Sequence, residues 1–213
     1  MKDSKVRVSS RYRVEAILFR LAREHSQKAQ EMAMRYEKSS DILDLEKEIE
    51  HSIQAILLAH AFLEAYINLI GKDRLEGSSN ISNQILWEVI QGRKPGFKLK
   101  WSWVVRAVTG KSLEDDRDLW NRLDKLNNLR NAMAHYKFKL SNGVESWEEK
   151  YFRAGNTIMA VSIAEQLVRK FHELDGSRPP DFLETMKAGK DYVVSIDEKI
   201  KLHDDSERQV KRS

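Results

Sequence analysis

Between Leu126 and Tyr136 the chain reads LNNLRNAMAHY, which gathers an arginine, an asparagine and a histidine in one short apolar stretch. Asn131 and His135 are four residues apart and share a helix face, while the long Arg130 side chain can swing toward the same pocket. These three residue types suit cleavage of an RNA phosphodiester without a metal. A histidine near its ordinary pKa of about 6.5 can move protons at neutral pH. An arginine stays charged and offers a fork of donors to a phosphate as negative charge grows on it. Asn131 can orient the histidine or bond the phosphate, and the attacking group would be the RNA's own 2′-hydroxyl. Ala132 and Ala134 leave room for a close neighbour. Spacing alone is weak, because Arg20 and His25 form a second pair five residues apart inside a long, highly charged segment.

A second chemistry-bearing stretch runs from Val89 to Leu113 and holds no acidic residue. It carries Arg93, Lys94, Lys98, Lys100, Arg106 and Lys111, with Phe97, Trp101 and Trp103 interleaved. Cations of this kind neutralise phosphates while aromatic faces stack on unpaired bases, so Arg93, Lys94, Lys98, Lys100, Trp101, Trp103 and Arg106 are the candidate RNA-binding set. The bland reading makes the tryptophans core and the charges a solvated rim. A third set, His60, Glu64 and Asn68, recurs every four residues along an apolar segment. These residues either line the cleft beside Arg130 and His135 or are buried polar groups satisfied by a neighbouring helix; the second role is favoured here.

Other chemistries drop out. Gly110-Lys111-Ser112 resembles the end of a phosphate-binding loop, but Val105 stands where its first glycine is required. There is no His-Glu-x-x-His run and the six histidines are scattered, so neither a metal site nor a cofactor is expected. The absence of cysteine removes thiolate zinc sites, cysteine nucleophiles and disulfides, and suits a cytoplasmic protein. The first residues, MKDSKVRVSSRYR, lack the apolar stretch of a secretory leader. Ser52 to Ile70 is the most apolar window, but its charged stripe argues for a core helix rather than a membrane span.

These residues must be carried by helices. With only three prolines, at Pro95, Pro179 and Pro180, two long stretches have nothing to break them. Three- and four-residue apolar spacing predicts long helices over about 10–38 and 41–70, with Ser39 and Ser40 between them, placed to cap the second, and Gly71 ending it. Short helices are expected over 81–91 and 99–108. Helical order resumes at Ser112, where Ser-Leu-Glu-Asp resembles a capping box. A last long helix carries Phe152 through Leu174. Ser141-Asn142-Gly143 reads as a turn, and Tyr192 to Ile196 is the one strand candidate. The expectation is an all-α fold, a bundle of four long helices with short helices inserted between the second and third. Residues 1–178 would form the domain and 179–213 a charged C-terminal extension.

With 213 residues, such a domain can bury a core without staples. The net charge of +4 and pI near 9.1 are too modest to argue for nucleic acid globally. The case for RNA is therefore local. The +4 averages an acid-free stretch with the acidic Glu114-Asp-Asp116 directly after it.

The segment LRNAMAH from Leu129 to His135, following AILLAHAFLEAYIN from Ala55 to Asn68, resembles the HEPN superfamily of all-helical domains. Its hallmark is an arginine and a histidine four to six residues apart, often with a polar residue straight after the arginine. The resemblance spans about 10–175 in helix order and these two segments in residue detail. It implies a homodimer in which two Arg–His motifs face one composite cleft. For many members it implies metal-independent endoribonuclease activity in toxin–antitoxin, abortive-infection or other defence systems. Arg130 and His135 would then be catalytic, Asn131 supporting, and an antitoxin protein a possible partner. A subgroup paired with nucleotidyltransferase antitoxins has a tyrosine two residues after the histidine. Here Tyr136 is adjacent, a candidate lining residue of the cleft, and Lys137 takes the next place. The runner-up reading is a non-catalytic module of this type that binds RNA, a nucleotide or a partner protein. The third is a purely structural helical protein.

Overall fold

A computed structural model of the protein describes residues 13–134 and 151–185. The described chain is all-α, with no strand among the described residues. Its elements are α1 (Val14–Ser39), α2 (Ile42–Gly71), α3 (Ile81–Arg93), α4 (Phe97–Thr109), α5 (Arg117–Ala134), α6 (Ala154–Asp175) and the short α7 (Phe182–Thr185). His135, Tyr136, the turn at 141–143 and the strand candidate at 192–196 lie outside the described residues.

The long α1–α2 pair turns at Ser40, which takes the left-handed conformation at φ 52° and closes α1 through its N–H to the Tyr36 carbonyl. Asp41 then caps α2, its Oδ1 accepting from the Leu43 N–H at 3.0 Å. The cap is thus Asp41 rather than either serine. Apolar residues at helical spacing force the two helices together, burying Phe19 and Ala22 of α1 against Phe62 and Leu63 of α2. The Phe19 and Phe62 rings sit 4.7 Å apart.

Helix α2 is the one described helix long and apolar enough to cross a membrane by length and composition. In the fold it is the central element, packed on α1, α4, α5 and α6. The α-helix ends at Gly71 as expected, but not by a break in the helical path. The backbone at Gly71 stays helical (φ −59°, ψ −45°) and runs on into a π-helical turn, Lys72–Glu76. What requires glycine there is the Trp87 ring: a Cβ at residue 71 would lie 2.1 Å from Trp87 Cζ3.

The capping box read at Ser112 also resolves differently. Ser112 Oγ accepts from the Glu114 N–H and caps a 3₁₀ turn, Leu113–Asp115. Helix α5 is opened instead by Asp116, whose Oδ1 accepts from the Leu119 N–H at 3.1 Å. Helix α6 is seated on α1, α2 and α5. Phe182 and Leu183, assigned by sequence to the charged extension, are buried in the same core, with the Phe182 ring edge-on to Phe62 at 6.1 Å. The compact unit therefore continues past residue 178.

Candidate functional site

Leu119, Leu123, Leu126 and Leu129 bury one face of α5, which leaves Asn127, Arg130 and Asn131 at its edge. Arg130 is half-buried, and its Nη1 donates to Asn131 Oδ1 at 3.1 Å. The asparagine after the arginine thus holds the guanidinium. Neither His135 nor Tyr136 is among the described residues.

Across from this edge, α2 presents His60. It is 6% exposed, and its ring centroid lies 4.1 Å from that of Phe97, the first residue of α4. Burial pushes the imidazole below its ordinary value of 6.5, and the nearby Arg130 guanidinium pushes it the same way. Glu64 and a hydrogen-bonding influence from the Asn127 amide pull it back up. Loss of hydration dominates, so the ring is neutral at pH 7. His60 Nε2 is fully buried and has no hydrogen-bond partner among the described residues, an unmet polar group that costs about 1–3 kcal/mol.

Glu64, one turn along α2, is exposed and accepts from Lys100 Nζ of α4 at 3.4 Å. Asn68 is half-buried on the same stripe but two turns from His60, about 12 Å along the helix axis. The fold therefore groups His60, Glu64, Phe97, Lys100, Asn127, Arg130 and Asn131, and leaves Asn68 away from Arg130. Asn127 was missed in the sequence, although it stands three residues before Arg130 and so shares its face.

The acid-free stretch divides into three kinds of residue. Arg93, Lys94 and Arg106 are exposed and make no salt bridge among the described residues, at the α3–α4 corner and along α4. Lys98 and Lys100 are engaged: Lys98 Nζ meets Asp124 Oδ2 at 2.6 Å and lies over the Trp120 ring at 4.1 Å, while Lys100 meets Glu64. Trp101 is 0% exposed in the core, so it has no face to offer a base. It belongs to the packing of α4 and leaves the RNA-contacting set. Trp103 is partly buried against the same core.

The other arginine–histidine pair separates by partner. Arg20 binds Glu24 of its own helix, while His25 Nδ1 meets His51 Nδ1 of α2 at 3.1 Å. Among the described residues, no group of three or more histidine, aspartate or glutamate side chains is placed to hold a metal ion. Family models, curated proteins and solved structures were all compared with the chain, and none matches it.

Proposed function

We propose that this chain is a metal-independent endoribonuclease of the HEPN type, acting as a toxin or defence effector. In this reading four long helices form a bundle that pairs with a second copy. Arg130 stabilises charge on the phosphate, His135 moves the proton, and Asn131 holds Arg130. The observation that carries the reading is Arg130, fixed by Asn131 at the edge of α5 beside a neutral, buried histidine. Exposed Arg93, Lys94 and Arg106 add cations for an RNA backbone.

The test is incubation of purified protein with total RNA in EDTA. Wild type is expected to cleave, with His135→Ala and Arg130→Ala each slowing cleavage by about a hundredfold or more. A folded wild type that leaves RNA intact would refute the reading. Sedimentation would check the pairing, with a dimer expected.

The second reading is a non-catalytic module that binds RNA, a nucleotide or a partner protein such as an antitoxin. It draws on the unpaired cations at the α3–α4 corner, which need no chemistry to be useful. Harmless expression in cells, unchanged by Arg130→Ala, would favour it; growth arrest relieved by that substitution favours the nuclease.

A further inference from the structure

Two histidines that stand 26 residues apart in the chain meet where α1 packs on α2. His25 Nδ1 and His51 Nδ1 are 3.1 Å apart, while the ring centroids are 5.2 Å apart with their planes tilted by 42°. The rings therefore meet nitrogen to nitrogen rather than face to face. Neither histidine makes another hydrogen bond among the described residues, and both are only half-buried. With both rings neutral, a single hydrogen serves this contact: one Nδ1 carries it and the other accepts.

The same two nitrogens can share a metal ion instead. Imidazole nitrogen binds Zn²⁺ and its first-row neighbours at about 2.0–2.1 Å. Two such bonds put the nitrogens about 2.9 Å apart at a right angle and about 3.3 Å apart at the tetrahedral angle. The observed 3.1 Å falls inside that range, so a small swing of the rings admits an ion. The Nδ1 hydrogen then passes to Nε2 of its own ring, a change of tautomer that releases no proton overall. Half exposure lets water bond Nε2–H and fill the remaining positions on the ion. Charge around the pair does not oppose a cation. Glu24 and Glu50 directly precede the two histidines, set against Lys28 on α1 and Arg20, which is bonded to Glu24.

We propose that His25 and His51 form a two-histidine site for a divalent transition-metal ion of the Zn²⁺ class, which ties α1 to α2 and carries water in its other positions. The proposal stands apart from the Arg130 reading, and the ion takes no part in RNA cleavage.

The test titrates Zn²⁺ by calorimetry into the full chain, first stripped with EDTA and dialysed. One ion per chain is expected. His25→Ala and His51→Ala should each weaken its binding by about tenfold or more, whereas His135→Ala with His203→Ala should leave it unchanged. At zinc about a hundredfold above its dissociation constant, the unfolding temperature of the parent should rise by about 5 °C or more. That rise should vanish in His51→Ala. The ring-nitrogen resonances of the parent give a measurement that needs no substitution: both Nδ1 signals are expected to move on adding Zn²⁺. Binding that survives the loss of either histidine, or Nδ1 resonances unmoved by the bound ion, would mean an adventitious ion only and overturns the site. A parent chain that takes up no zinc overturns it too, and leaves the Arg130 reading standing.

Discussion

Glu48 carries a carboxylate where almost no water reaches. At 1% exposure, its Oε1 accepts from Arg153 Nε and from the Ala154 N–H, both at 2.9 Å. Ala154 is the first residue of α6, and Arg153 before it provides no side-chain cap. A carboxylate from α2 therefore does the work of an N-cap and answers the positive end of the α6 dipole. Glu48→Ala should cost about 2–4 kcal/mol in urea unfolding, because it orphans a buried N–H and removes the ion pair. Glu48→Gln keeps an accepting oxygen and should cost less. Nothing in the sequence marks Glu48 among the many glutamates of its segment. The same limit touches Asn131 and His60: Asn131 was read as orienting His135 or bonding the phosphate, and in the fold its amide oxygen holds Arg130 instead. The approach of His60 to Arg130 depends on how α2 meets α5, which spacing within either helix does not specify. Trp101 was misassigned for the same reason, since a tryptophan between lysines reads alike whether it faces solvent or core.

Helix positions were largely legible, because each apolar stripe needs a periodic run to cover it. The expected 41–70 became Ile42–Gly71, and 99–108 became Phe97–Thr109. Punctuation was less so. Gly71 carries the conformation of any helical residue and is reserved for the Trp87 ring. Gly71→Ala should destabilise the protein by about 1–3 kcal/mol through overpacking. In a Trp87→Ala background, where the ring is gone, the added methyl should cost little, and a double-mutant cycle would measure that coupling. This contact also pins α3 across the end of α2, and so fixes the corner that carries Arg93 and Lys94. If RNA lies along that corner, Arg93→Glu with Lys94→Glu should weaken filter-bound RNA. The slope of log affinity against log salt should become shallower by about two. Lys98→Ala should do less to that slope, since Asp124 already partners its charge.

At the scale of the whole fold, three histidines among the described residues share one electrostatic condition. His25, His60 and His172 are each held below the ordinary imidazole value, with burial as the leading cause. His25 is also pushed down by His51, which shares its hydrogen bond. The folded state therefore binds fewer protons than the unfolded chain. Their stabilising contribution is present above the unfolded value of about 6.5 and is lost as pH falls toward and through the lowered folded values. The unfolding temperature should drop between about pH 7.5 and about pH 5 when followed by circular dichroism, and a flat profile would contradict this. His172 shows why the cost is spread over the fold: its Nε2 is bonded to the buried Tyr66 hydroxyl at 2.5 Å and its Nδ1 to Ser177 Oγ at 2.7 Å.

The seat of α6 has a practical corollary. Its ties to the preceding helices are side chain by side chain: Thr157 to Ser26 of α1 at 2.9 Å, Gln166 to Arg122 of α5 at 2.7 Å, His172 to Tyr66 of α2, and the Glu48 cap at its first turn. None of these ties requires a covalent path through residues 135–150. A gene divided there should yield two halves that complement one another, co-purifying when expressed together and recovering the helical circular-dichroism signal on mixing. Such a split pair would keep the α2, α4 and α5 residues around Arg130 on one chain and put their α6 support on the other, so that adding the second half would switch on the packing beneath the site.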